Sequence, residues 1–233
     1  MVLFSGGAAV GKTAVLRHVI PALRERGAVP AACKIDCVSD DDRRVFADLG
    51  VPVVAGISGD VCPDHFLVSN LPELWAWTER QGASHLLIET AGLCHRCSPA
   101  TERMLAGCVI DCTASCRAPA RLGPMLTQAD FAVIAKTDMV SQAEREIICR
   151  KIEDINPRAE LFCVDALAGY GIEGLCDWLL DQPPTPTYEN DALRHTMPMG
   201  VCSYCVGERR VGSAFQQGIV GKIDFSTEEG GCA

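Results

Sequence analysis

Short apolar runs alternate along the chain with longer segments in which apolar residues recur every three or four positions. Short runs are typical of buried strands, and the longer period is typical of amphipathic helices. The runs predict strands at residues 2–4, 31–36, 51–55, 85–88, 109–110, 131–135 and 161–164. The longer period predicts helices over residues 15–23, 40–49, 71–80, 141–155 and 172–180. This alternation indicates an α/β fold.

The order of the elements predicts a mostly parallel sheet with helices on both faces. Ligands of such sheets bind beyond the carboxyl ends of the strands, and the polar motifs of this chain follow predicted strands. The alternation stops at a proline-rich stretch, residues 182–187, and a glycine-rich tail follows. We therefore divide the chain into a main domain, residues 1–182, and a linker with a Cys-containing C-terminal extension, residues 183–233.

Composition and charge exclude several classes of protein. Apolar residues make up 48% of the chain, and the formal net charge is -9 with no cluster of Lys or Arg. A nucleic-acid binder normally shows a basic surface, so no nucleic-acid partner is expected. No apolar run predicts a membrane span, and the first strand leads into a glycine-rich loop without a signal peptide. We therefore expect a cytoplasmic protein, in which 14 cysteines are not disulfides.

A glycine-rich loop follows the first predicted strand and precedes the first predicted helix. It fits the phosphate-binding motif G-x-x-x-x-G-K-[ST] in full, with Gly6, Gly7, Ala8, Ala9, Val10, Gly11, Lys12 and Thr13. Its backbone N–H groups and the positive end of the helix are expected to bind phosphate oxygens. Lys12 is expected to reach the β- and γ-phosphates and Thr13 to bind Mg²⁺. The motif predicts a P-loop nucleoside triphosphatase.

Two later motifs favour guanine as the base. Residues 135–138 read A-K-T-D and resemble the N-K-x-D motif of GTPases, with Ala135 in place of Asn. In that family the carboxylate, here Asp138, accepts hydrogen bonds from guanine, and the Lys stem, here Lys136, packs on the base.

The second of these motifs is the loop at residues 164–167, which reads V-D-A-L. It resembles the S-A-x loop that ends many G domains, with Asp165 in place of Ser. The resemblance implies that a backbone N–H near Ala166 and Leu167 contacts the guanine carbonyl. The two loops together favour GTP over ATP.

Acidic residues at the ends of two strands are candidate catalytic groups beside Lys12. Residues 89–92 read E-T-A-G and resemble the acidic-x-x-Gly switch of the same GTPases. Glu89 can hold a magnesium-bound water, and the N–H of Gly92 can sense the γ-phosphate. Asp36 can support magnesium or water from the other side, or it can be an ordinary solvated loop residue.

Cys62 and His65 are candidate metal ligands, because a thiolate and an imidazole lie three residues apart. The alternative is an ordinary loop cysteine and a surface histidine. With the P-loop, Asp36, E-T-A-G and K-T-D, the segment around these two residues resembles the nickel-insertion GTPases that mature urease and hydrogenase, and the cobalamin-synthesis W family. The resemblance covers residues 1 to 181. The urease member carries Cys-Pro-His there and binds metal across a dimer, whereas here Asp64 is inserted before His65.

Two C-x-x-C pairs offer further ligands. Cys94 and Cys97 follow the switch directly, and Cys202 and Cys205 lie in the tail. Four thiolates suit a transition metal such as zinc or nickel, or an iron–sulfur cluster. A redox dithiol and structural cysteines are the alternatives. Three cysteines spaced every four residues, Cys108, Cys112 and Cys116, are reserve ligands.

These features predict a GTP-binding and GTP-hydrolysing maturation factor that couples nucleotide state to metal delivery or assembly in a client metalloenzyme. A nucleotide-dependent homodimer is expected, with GTP and Mg²⁺ as ligands. Two alternatives remain open. One is a reductase-type P-loop ATPase that carries an iron–sulfur cluster, and the other is a regulatory nucleotide-binding module.

Overall fold

Seven parallel strands form the central sheet of the protein in its computed structural model, which describes residues 1–39, 43–92, 95–197, 203–216, 218 and 220–225. The strands are β1 (Val2–Ser5), β2 (Pro30–Asp36), β3 (Val53–Ile57), β4 (His85–Thr90), β5 (Leu105–Asp111), β6 (Phe131–Ala135) and β7 (Glu160–Cys163). Their order across the sheet is β3-β2-β4-β1-β5-β6-β7, and every neighbouring pair is parallel. The predicted mostly parallel sheet is confirmed.

Helices cover both faces of this sheet. They are α1 (Lys12–Glu25), α2 (Arg43–Ala47), α3 (Pro63–Arg80), α4 (Pro124–Thr127), α5 (Gln142–Ile155) and α6 (Ile172–Leu180). Because side chains alternate along a strand, Leu3 packs on the face of α3, while Phe4 packs on the face of α1 and α6. The alternation therefore fixes which strand residues can approach the start of α1.

The longest difference from the predicted elements is at α3, which begins at Pro63 rather than at residue 71. A proline is favoured in the first turn of a helix, and Phe66 and Leu67 already belong to the core. The apolar period was interrupted by polar residues that are nonetheless buried, namely Asp64, His65, Ser69 and Asn70. Cys62 and His65 thus lie at the start of a helix and not in an exposed loop.

Smaller differences concern the ends of elements. Strand β5 runs from Leu105 to Asp111, and the strand predicted at residues 51–55 is shifted to Val53–Ile57. Helix α2 is shorter than predicted, and residues 40–42 lie outside the described part of the chain. Helix α5 begins as the sequence indicates, because Ser141 and Glu144 form a reciprocal capping box.

The described parts of the C-terminal extension pack back on the main domain. Strands β8 (Asp191–Ala192) and β9 (Arg210–Val211) pair with each other. The guanidinium of Arg194 forms an ion pair with Asp130, and the side chain of Asn70 on α3 bonds the backbone of Gly221 and Ile223. The boundary after residue 182 stays a prediction. In the part of the chain that the structure describes, no helix is long and apolar enough to cross a membrane.

Candidate functional site

The P-loop connects β1 to α1 at the carboxyl edge of the sheet. Gly6, Ala9 and Gly11 have left-handed backbone angles, with φ of 144°, 58° and 103°. A Cβ atom at Gly6 would lie 2.4 Å from the carbonyl oxygen of Val109, so only glycine fits there. Helix α1 begins at Lys12, directly after this loop, and its positive end faces the loop. The backbone is therefore arranged to bind phosphate.

The side chain of Lys12 folds back onto the P-loop. Its Nζ donates to the carbonyl oxygens of Gly6 and Gly7, at 3.1 and 2.8 Å. Burial lowers the pKa of Lys12, and the negative charge of Glu89 opposes that shift. The adjoining pocket has a volume of about 440 Å³ and is lined by Ala8, Ala9, Gly11, Lys12, Thr13, Ala14, Lys34, Asp36, Glu89 and Ala91.

Hard oxygen atoms that suit Mg²⁺ lie in this pocket. The hydroxyl of Thr13 donates to Glu89, at 2.9 Å from Oε1 and 3.0 Å from Oε2. Asp36 lines the same pocket, and one of its carboxylate oxygens accepts the N–H of Cys37. Lys34 forms a buried ion pair with Glu89, with 2.5 Å between Nζ and Oε1. The donor set fits a magnesium ion held by Thr13, with the carboxylates as direct or water-bridged partners.

The two loops that the sequence predicts to contact the base follow β6 and β7. Lys136 has a left-handed backbone, and its Nζ contacts the Asp111 carboxylate at 2.6 Å and the P-loop carbonyl of Ala9 at 3.1 Å. Asp138 lies in an exposed 3₁₀ turn, Thr137–Met139, with its side chain at the surface. Lys136 is therefore anchored between β5 and the P-loop.

The second base loop is held by its own aspartate. The Oδ1 atom of Asp165 accepts the backbone N–H of Leu167 at 2.8 Å and that of Ala168 at 3.1 Å. The N–H of Leu167 is thus engaged inside the loop. This arrangement favours Ala166 over Leu167 as the residue whose N–H meets a base.

Gly92 lies directly on the P-loop. It forms a parallel bridge with Gly7, and its N–H bonds to the carbonyl of Thr90 at 3.1 Å. A Cβ atom at Gly92 would lie 1.8 Å from the carbonyl oxygen of Gly6. The end of the E-T-A-G segment therefore contacts the phosphate loop through backbone alone.

A group of candidate metal ligands lies at the start of α3. The ligand atoms of Cys62, Asp64 and Cys97 all lie within 4.8 Å of one another. The thiol of Cys97 donates to Asp64 Oδ2 at 3.2 Å. His65, the next residue after Asp64, is fully buried, and among the described residues neither of its ring nitrogens has a hydrogen-bond partner in good geometry. The two sulfur atoms and the carboxylate suit Zn²⁺ or Ni²⁺.

Protonation of this group reflects its burial. Contact with Cys97 is the main cause that lowers the pKa of Cys62 to about 4, and His65 and the N–H groups at the start of α3 add to it against burial. Burial and the charge of Cys62 raise the pKa of Asp64 to about 7. Burial alone would lower the pKa of His65, but interaction with Cys62 and the charges of Cys205, Cys62 and Asp64 raise it. These contacts favour the thiolate form of Cys62.

A family model supports the same interpretation over most of the chain. Residues 1–163 match the model described as CobW/HypB/UreG, nucleotide-binding domain. The chain belongs to this family. A similar protein along nearly the whole length is an uncharacterised protein of Methanocaldococcus jannaschii, 42% identical over 229 residues, 98% of each chain. The urease accessory protein UreG 2 of Streptomyces griseus is 29% identical over 187 residues, 72% of this chain and 81% of its own.

Solved structures of the family share the fold. The hydrogenase maturation factor HypB from Archaeoglobus fulgidus matches with a TM-score of 0.62 and 22% identity, over 77% of this chain and 87% of that one. HypB from Helicobacter pylori in complex with nickel matches with a TM-score of 0.62 and 16% identity, over 77% and 85%. The P-loop fold of the CobW/HypB/UreG family is thereby confirmed.

Several predicted ligands of this family member come together, and others do not. Cys62 and Cys97 share one site, whereas His65 interacts with Cys62 and with the charge of half-buried Cys205 but is not in the group of ligand atoms that lie within 4.8 Å of one another. Cys94 and Cys202 lie outside the described residues. The reserve ligands do not join the group, since Cys108 and Cys112 are buried at β5 and Cys116 is exposed.

Two site residues were missed from the sequence. In the sequence Asp64 is only an insertion before His65, although a residue directly after a helix-starting proline lies in the first turn, near the N-cap Cys62. Lys34 falls within a predicted apolar strand. A lysine inside a buried strand is a signal in itself, because lysine is rarely buried without an anionic partner.

Proposed function

We propose that the protein is a GTP-hydrolysing maturation factor that couples its nucleotide state to delivery or assembly of a metal centre in a client metalloenzyme. The observation that carries this proposal is the position of Cys97. It lies five residues after Gly92, which contacts the P-loop, and its thiol meets Cys62 and Asp64. One short connection thus links the nucleotide loop to the candidate metal ligands.

Nucleotide binding would use the residues around the P-loop pocket. Lys12 would bind the β- and γ-phosphates, Thr13 would hold Mg²⁺, and Asp36 and Glu89 would orient it or its water. The bound Mg²⁺ would neutralise charge on the phosphates. Among the described residues, no arginine lines this pocket, so hydrolysis is expected to be slow until a partner supplies a cation.

The base would be guanine, read by Asp138 and the N–H of Ala166, with the stem of Lys136 against the ring. Anchoring of Lys136 on Ala9 and Asp111 supports this proposal, because it holds the lysine across the P-loop. Ala135 leaves the Asn position of the motif without its amide. Asp138 therefore carries most of the selectivity in this proposal.

A single transition-metal ion fits the described ligands better than an iron–sulfur cluster. The group supplies two thiol groups and a carboxylate, and the buried imidazole of His65 interacts with Cys62, so the donors available to one ion are of the mixed kind that suits Zn²⁺ or Ni²⁺. Nickel is supported by the name of one structural neighbour, HypB from Helicobacter pylori in complex with nickel. The client would be a metalloenzyme or its assembly complex, as the names of the urease and hydrogenase relatives indicate. A nucleotide-dependent homodimer could add ligands from a second copy.

Nucleotide binding and phosphate release, measured on the purified protein in the presence of Mg²⁺, test the nucleotide part of this proposal. We expect tight GTP binding, weaker ATP binding, and slow release of phosphate. Lys12→Ala should lower triphosphate affinity about a hundredfold or more with the fold intact, because the loop loses its phosphate-binding charge. Asp138→Asn should shift preference from GTP to xanthosine triphosphate, because Asn offers a donor where guanine needs an acceptor.

Titration of labelled nucleotides gives the result directly. Lys12→Ala binding as tightly as wild type would contradict the phosphate assignment. Equal affinity of wild type for ATP and GTP would contradict the guanine assignment. A brown protein with a strong ATP preference would support the reductase alternative, and nucleotide binding without turnover or metal dependence would support the regulatory one.

A further inference from the structure

Lys34 is a buried cation in the nucleotide pocket that none of the motifs explains. It lies on β2 two residues before Asp36, and only 4% of the residue is exposed. It pairs in register with Glu89 on the adjacent strand β4. Ala32, two residues before it on the same face, packs in the apolar core against α1. Lys34 and Glu89 therefore lie where this apolar face reaches the phosphate loop.

The contacts of Lys34 involve the oxygen atoms proposed for magnesium. Its Nζ lies 2.5 Å from Glu89 Oε1 and 3.5 Å from Thr13 Oγ1, and the Thr13 hydroxyl bonds the same carboxylate. The ammonium group of Lys34, the hydroxyl of Thr13 and the carboxylate of Glu89 thus each contact the other two. A divalent cation that used Thr13 and Glu89 would have to bind among these three groups.

We propose that Lys34 is a tethered cation that holds Thr13 and Glu89 when no nucleotide is bound and that competes with Mg²⁺ for them. The proposal rests on the proposed binding of nucleotide with Mg²⁺ at Thr13. Two cations at one buried carboxylate repel each other, because screening by water is weak there. Mg²⁺ must therefore displace the ammonium of Lys34 from Glu89.

This competition couples the metal to the nucleotide. Without phosphates, the positive charges of Lys12 and Lys34 already balance the negative charges of Asp36 and Glu89 in the pocket, so Mg²⁺ binds weakly. A triphosphate adds negative charge that both the ion and the released ammonium can share. Mg²⁺ and triphosphate then raise each other's affinity by the same factor. Lys34 would thus keep the pocket stable and closed to free Mg²⁺ between cycles.

The test is a Mg²⁺ titration of nucleotide-free protein at constant ionic strength, read as the thermal unfolding midpoint. Wild type should respond little in the millimolar range. Lys34→Gln keeps a donor for Glu89 but removes the charge, so its midpoint should rise with Mg²⁺. Its half-saturating concentration should be at least about tenfold lower than that of wild type. Lys34→Gln/Glu89→Gln should lose this response, because the anionic partner is gone.

Lys222→Gln is the matched control. Lys222 also pairs with a carboxylate, with 2.8 Å between its Nζ and Glu73 Oε1, but this ion pair joins the C-terminal extension to α3 and lies outside the nucleotide pocket. Without nucleotide, its Mg²⁺ response should equal that of wild type. An equal response of wild type and Lys34→Gln would overturn the proposal. So would a Lys34→Gln protein that stays unfolded at every Mg²⁺ concentration, since Mg²⁺ would then fail to replace the ammonium.

Failure of this proposal can be separated from failure of the proposed function. A wild-type protein that binds GTP, combined with an unresponsive Lys34→Gln, would remove only the role of Lys34. A wild-type protein that binds no triphosphate would remove the proposed function, whatever the Mg²⁺ titration shows.

Discussion

The P-loop leaves no room for a side chain larger than a hydrogen atom at Gly92. The position follows β4, and its backbone lies against Gly6, which itself is held against the carbonyl of Val109. Neither neighbour can move easily, because both are backbone groups of the phosphate site. The contact makes position 92 a sensitive probe of the junction between switch and P-loop.

We expect Gly92→Ala to lower the free energy of unfolding by about 3 kcal/mol, as overpacking does when backbone blocks relaxation. Triphosphate affinity should fall with it, because Gly6 must shift. Chemical denaturation and nucleotide titration measure the two effects. Gly174→Ala is the matched control, since Gly174 lies on the exposed face of α6 and nothing lies within 4 Å of its added Cβ. That variant should gain up to about 1 kcal/mol from helix propensity, and an equal loss in both variants would contradict the contact.

Residues that carry a motif could be placed from the sequence, whereas Lys34 and Asp64 could not. The P-loop spacing is fixed by phosphate geometry, so Lys12 and Thr13 were recognised without a fold. Lys34 acquires its role only when β2 and β4 become neighbours, although 55 residues separate it from Glu89 along the chain. Asp64 acquires its role from Cys97, which approaches through the connection after β4. Both depend on contacts between distant segments.

At the scale of elements, the start of α3 determines the candidate metal site. Pro63 sets the first turn, so Cys62 becomes the N-cap, Asp64 lies against Cys97, and His65 is buried one residue further on. The amino end of a helix favours negative charge, which suits a thiolate at Cys62. The sequence indicated the ligand types but placed the helix start eight residues too late, so it could not show that they face one another.

Metal binding should therefore depend on residues from both segments of this site. We expect wild-type protein to bind one Zn²⁺ or Ni²⁺ per chain, and Cys97→Ser to weaken that affinity by at least about tenfold, because it removes a first ligand. Asp64→Asn should weaken it several-fold. Competition with a chromophoric chelator under anaerobic conditions measures each affinity.

Cys149→Ser is the control for loss of a thiol as such. Its thiol lies 3.7 Å from that of Cys163, between α5 and β7 and away from the group around Cys62. It should bind metal like wild type. Unchanged affinity in Cys97→Ser and Asp64→Asn would show that the metal, if any, binds elsewhere. Sulfide in the purified protein would instead support a cluster.

At the scale of the whole molecule, the order of the strands places the candidate nucleotide site and the candidate metal site at the same edge of the sheet. The alternation of strands and helices was enough to predict this edge, because parallel strands all end on one side. The packing of the extension was not predictable in the same way. Its glycine-rich tail has little apolar periodicity, and its attachment depends on particular polar contacts, such as those of Arg194 and Asn70. Such contacts leave no pattern in the sequence.

The same topology joins the proposed nucleotide site to the proposed metal site through one short segment of chain. Gly92 contacts the P-loop, and Cys97, five residues further on, contacts Cys62 and Asp64. If GTP moves Gly92, the connection must move Cys97 relative to α3. A metal can shift the switch only through different affinities for its two states, and by reciprocity GTP then changes the metal affinity by the same factor.

We therefore expect the affinity for a non-hydrolysable GTP analogue to differ about fivefold or more between metal-free and Zn²⁺-loaded wild-type protein. Cys97→Ser should abolish the difference, because it removes the thiol through which the segment after Gly92 contacts Cys62 and Asp64. Cys149→Ser should retain it, because that thiol lies outside the connection. Nucleotide titrations of all three proteins, with and without Zn²⁺, give the six affinities required. If Zn²⁺ binds wild type but leaves the analogue affinity unchanged, the metal site is independent of the switch, and the protein cannot use GTP hydrolysis to release its metal.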